Sequence, residues 1–70
     1  MNLYIINDVL YDYTSGMVCI VAKDLNQARD LYMEKFGSLD FDRAIENKRY
    51  QVLKVENETP RIVSYVYGGG

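Results

Sequence analysis

Asp40, Asp42 and Glu46 fall close together and form the densest group of side chains able to do chemistry. Two carboxylates run general acid–base catalysis when their environments hold one protonated and the other ionised, and a set of oxygens at regular spacing can bind a cation. Here no Ca²⁺-loop pattern of alternating oxygen ligands about a central Gly is present, so a solvated acidic segment is the simpler reading. Cys19 is the lone thiol, and the chain contains no His that would activate it. It lies inside the apolar run Met17–Ala22 and reads as a buried structural thiol. We therefore expect no catalytic residue, no metal and no cofactor, and read the chain as non-enzymatic.

The stronger deviation is aromatic, with 7 Tyr and 2 Phe in 70 residues. Tyr rests its ring on apolar neighbours and leaves its hydroxyl in water, which suits a contact surface. Tyr11 and Tyr13 flank a first turn, and Tyr65 and Tyr67 close a last strand on one parity. Together with Asp40, Asp42 and Glu46 they make up the expected partner-binding set. The carboxylates would steer the chain towards a Lys/Arg-rich groove and the rings would hold it there.

The net charge of −2 comes from 10 acidic and 8 basic residues with no Lys/Arg cluster, which argues against a direct nucleic-acid ligand. No apolar run approaches the ~20 residues of a membrane span, and no basic-then-apolar leader opens the chain. A cytoplasmic protein with one small core is expected.

The elements that must position these residues can be read from local signals. Leu3 to Leu10 reads as a strand interrupted at Asn7–Asp8, where a bulge is expected. A loop of about five residues leads to a second strand, Met17–Ala22, which is wholly apolar and so central in the sheet. Asp24 and Gln27 have capping-box spacing, Gly37 stands at a C-cap, and the helix between them spans Leu25 to Phe36. Leu25, Ala28, Leu31, Tyr32 and Phe36 form its packed face, set against Val18, Ile20, Leu53 and Val55. Ser38 to Lys48 reads either as one short helical turn begun by Asp40 or as Arg43–Glu46 pairing with the next strand through a turn at Asn47–Lys48, and the helical turn is the preferred reading. Arg49–Glu56 and Arg61–Tyr67 are strands joined by a turn ending at Pro60. The fold class is α+β, an antiparallel sheet of four or five strands with one helix on one face, in the order ββαββ. The uncovered face is expected to present Tyr and charged residues, and Gly68–Gly70 to form a flexible tail.

Two resemblances follow. Tyr4–Ile5–Ile6, Val9, Gly16, Ile20, Ala22, Leu25, Gln27 and Ala28 resemble the opening of small accessory proteins encoded by bacteriophages, among them anti-CRISPR proteins, over the first 28 residues. That likeness implies an antiparallel sheet with one helix across it and an inhibitor that occludes a host protein or ribonucleoprotein complex. The Gly-Gly-Gly after the strand Ile62–Tyr67 resembles the end of ubiquitin-like sulfur carriers and modifiers, which implies action through Gly70. A homodimer joined by an edge strand is a third arrangement open to such a chain.

Overall fold

A computed structural model describes residues 1–69. Its elements are β1 (Asn2–Asp12), β2 (Thr14–Ala22), α1 (Leu25–Phe36), α2 (Asp40–Glu46), β3 (Tyr50–Lys54) and β4 (Arg61–Val66). The strands form one antiparallel sheet in the order β3-β1-β2-β4. The architecture is α+β, but the expected ββαββ order and single helix need correction, because the chain forms two helices between β2 and β3.

The ends of α1 are set by side chains. Asp24 Oδ1 accepts from the Gln27 amide at 2.8 Å, and Gln27 Oε1 accepts from the Lys23 amide at 2.8 Å. This satisfies two donors near a helix start. Gly37 ends the helix in the left-handed region at φ 64. The short turn expected at Asp40 grows into the seven residues of α2 because Phe41 and Ala44, three apart, bury one face in the core.

In β1 the bulge expected at Asn7–Asp8 is present as a register shift between Asn7 and Val9, and a second shift follows between Val9 and Asp12. Asp8 and Leu10 take positive φ there, 60 and 54. The expected five-residue loop shrinks to Tyr13 alone, at φ 70, since Asp12 already pairs with Thr14.

The register assigns the faces. Tyr4 and Ile6 pair with Ile20 and Val18, and these four turn towards the helices, where they join Ala28, Tyr32, Phe41 and Ala44 in the core. Leu3, Ile5, Met17, Cys19 and Val21 point to the opposite face, on which neither helix packs. Leu3 pairs with Leu53, so Leu53 belongs to that open face and is 51% exposed rather than packed under α1. The packed face of α1 also shifts: Ala28 and Tyr32 are fully buried, while Leu25, Leu31 and Phe36 are half-buried. The expectation that the open face bears Tyr is overturned, and of the expected charge the register puts Arg61 at its edge. Tyr4, Tyr50 and Tyr65 all fall on the helix side, and the centre of the open face is apolar.

Gly68 is buried, contrary to the expected flexible tail, and its amide donates to the Leu10 carbonyl at 2.9 Å. A Cβ on Gly68 would land on the Thr14 carbonyl, and one on Gly16 on the Val66 carbonyl. The two glycines let the chain after β4 lie against the hairpin with no side chain between them.

Candidate functional site

Asp40 stands at the start of α2 and joins three elements. Its Oδ1 accepts from the Tyr32 hydroxyl of α1 at 2.6 Å, and its Oδ2 accepts from the Leu10 amide of β1 at 2.8 Å. Leu10 is the bulge residue held in the left-handed region, where a bulky apolar side chain is uncommon. The carboxylate thus satisfies an amide that the bulge takes out of the ladder. Burial pushes the Asp40 pKa up, but the bonds from Tyr32, Leu10 and Ser38 outweigh it and hold the group below the usual carboxylate range. Burial, and then the same carboxylate, push the Tyr32 phenol above its usual value. Asp40 is therefore bonded internally rather than solvated.

Above this junction the aromatic side chains gather. Phe36 meets Tyr65 at 5.2 Å between centroids and Tyr67 at 6.1 Å, and Tyr65 meets Tyr67 at 5.9 Å, all edge to face. That is the geometry ring quadrupoles prefer. Lys35 Nζ lies 5.1 Å from the Tyr65 ring, and the Arg43 guanidinium 4.8 Å from the Tyr11 ring, both in cation–π range. The bond from Gly68 to Leu10 sets the backbones on either side, at Tyr67 and Tyr11, near one another. Tyr65, Tyr67 and Tyr11 remain 43%, 55% and 52% exposed, and Tyr13 at the hairpin tip is 92% exposed. One end of the molecule is thus an aromatic surface with two cations.

The carboxylates are dispersed. Asp42 makes a two-point ion pair with Arg29 of α1, at 2.7 and 3.0 Å, which raises the Arg29 pKa and lowers that of Asp42. Asp42 and Glu46 line the rim of a shallow groove of about 360 Å³ between the helices, floored by Leu25, Phe41 and Ile45. The structure therefore brings the four tyrosines to one end, turns Asp40 inward, pairs Asp42 and leaves only Glu46 unpaired among the three. Sequence reasoning missed Lys35, Phe36 and Arg43 as members of the aromatic surface. Phe36 and Lys35 sit in the last turn of α1, beside the capping Gly37, and that position was the available signal.

Cys19 lies on the open face, half-buried, opposite Ile5. Among the described residues no three His, Cys, Asp or Glu side chains gather as a metal-binding group. Among the described residues no helix is long and apolar enough to cross a membrane. Compared with protein-family models, curated proteins and solved structures, the chain has no significant match.

Proposed function

We propose that this chain is a small non-enzymatic binding protein that acts by covering a surface of a larger protein or ribonucleoprotein complex. The observation that carries the reading is the exposed cluster of Tyr65, Tyr67 and Phe36 with Lys35, adjoined by Tyr11 under Arg43. Tyr and Arg dominate the energetics of protein interfaces, because rigid rings bury large areas at small entropic cost. The junction at Asp40 supports the reading by fixing the surface before a partner arrives, which lowers the cost of ordering on binding.

The resemblance of the first 28 residues to phage accessory proteins favours a host defence complex as the partner, met in the host cytoplasm. The aromatic end presents cations, so the contact made there is to rings and acidic groups. Asp42 and Glu46, at the groove, add a weaker attraction to a basic rim. The carrier reading needs free glycines to enter a narrow channel. Gly68 is buried, Thr14 Oγ1 bonds both the amide and the carbonyl of Gly69 at 3.0 Å, and Gly70 lies outside the described residues. These bonds weigh against it.

Capture from a host lysate by immobilised wild type, compared with a Tyr65→Ala, Tyr67→Ala double variant, tests the proposal. A complex retained by the first and lost by the second, with both folded by circular dichroism, is expected. Equal capture by both would rule out the aromatic end, and ATP-dependent adenylation of the chain would favour the carrier.

A further inference from the structure

The four-stranded sheet carries both helices on one face and no helix on the other, where Val21 is buried and its neighbours Leu3, Ile5, Met17 and Cys19 are half-buried. Register places Leu3 and Ile5 of β1, Met17 and Cys19 of β2, Leu53 of β3 and Val66 of β4 together on that open side. Leu53 and Val66 are 51% and 60% exposed. Polar groups stand only at the margin, at Asn7, Gln51, Ser64 and Arg61, and no charged side chain interrupts the centre. A sheet with two apolar faces is stable in water when both are covered, and a single helical layer covers one.

We infer that a second copy of this chain covers the open face, giving a two-fold dimer in which two sheets pack face to face with the helices outside. Two arguments select this occupant. The first is composition: interfaces between different proteins are no more apolar than ordinary surface, whereas those between identical subunits are more so. An isologous contact also requires a self-complementary patch, and an apolar centre whose one charged side chain, Arg61, stands at an edge strand already paired with Glu58 meets that condition with itself. The second is area. Strands of 11, 9, 5 and 6 residues at their usual rise and spacing give each copy roughly 500 Å² to bury, so about 1,000 Å² in all, which reaches the lower bound of specific interfaces. The aromatic end lies on the helix side and stays free, so the dimer presents that surface twice.

Sedimentation equilibrium of the full chain across a wide concentration range tests the inference, with Leu53→Glu and Val66→Glu as variants. Both positions are exposed in the single chain, so the protomer tolerates a carboxylate that the dimer would bury unpaired. Wild type should sediment at twice the chain's mass, and each variant should raise the dissociation constant at least about a hundredfold. Alkylation of Cys19 should be slower in the wild type than in the variants. A Tyr65→Ala, Tyr67→Ala chain should still dimerise, which separates this inference from the proposed function. A monomeric wild type would overturn it and leave the face to another occupant. So would a dimer indifferent to both glutamates, or one whose Cys19 reacts as fast as in the variants, since either would move the contact to an edge strand.

Discussion

The two faces of this sheet carry the same kinds of residue and differ in what meets them. On the helix side Ile6, Val18 and Ile20 are fully buried under Ala28, Tyr32, Phe41 and Ala44. One residue along each strand, Ile5, Met17 and Cys19 have equal apolar character and no layer above them. Hydrophobicity thus says that a side chain wants cover, while the position of the connecting segments decides which face receives it. Both helices lie between β2 and β3 in the chain, and both pack on one side.

Ile6 and Ile5 put the comparison to the sharpest test, being adjacent and identical. Ile6→Ala should cost about 2–5 kcal/mol through lost burial and a cavity. Ile5→Ala, measured by urea unfolding at protein concentrations too low for association, should cost on the order of 1 kcal/mol. Equal losses would mean that the open face is packed within the single chain.

Gly16→Ala should come next, at on the order of 2–4 kcal/mol, because its methyl group meets the Val66 carbonyl and forces the backbone after β4 away from the hairpin. Thermal unfolding unchanged by this substitution would mean that the contact between the two segments is dispensable. Gly37→Ala provides the contrast: its methyl group would make only an ordinary contact, 3.8 Å from the Met33 carbonyl, and the strain is that of its positive φ, so about 1 kcal/mol is expected.

A smaller effect probes the polar junction that exists on the helix side alone. Tyr32→Phe should cost about 1–2 kcal/mol, and in combination with Asp40→Asn less than the sum, since both remove one hydrogen bond. The pH dependence follows from the two shifts. Asp40 is lowered in the folded state, so its contribution is complete above about pH 4 and is lost as pH falls through and below that value. Tyr32 is raised, so its contribution holds below about pH 10 and is lost as pH climbs above it. The urea midpoint should be flat between these limits, and Asp40→Asn should flatten the acid limb. An acid limb of unchanged slope in Asp40→Asn would assign it to other carboxylates.

Legibility in the sequence follows the range of the interaction. Asp24, Gln27 and Gly37 delimit α1 because caps act within a few residues, and the bulge at Asn7–Asp8 shows as a break in a run of strand formers. Tyr65 and Tyr67 were legible as a pair because alternation puts them on one face. Asp40 was not legible as a junction, since its partner Leu10 lies thirty residues earlier in the chain. Leu53 was misplaced for a related reason: its face is fixed by the register with Leu3, and one step of register would turn it over. The apolar open face was hidden because a strand buried on both sides and one awaiting cover read alike.

The strand order β3-β1-β2-β4 also sets a timetable for folding. The central hairpin and the two helices form from neighbouring sequence, whereas Asn2 must find Lys54, and Met17 must find Val66, across most of the chain. Such distant pairings pay loop-closure entropy before any contact rewards them, and sheets built on them fold in milliseconds to seconds, against microseconds for local helical folds. The hairpin and α1 therefore form early and the outer strands dock late. Until they do, the flanks of β1 and β2 stand open to any strand nearby, a neighbouring chain's included.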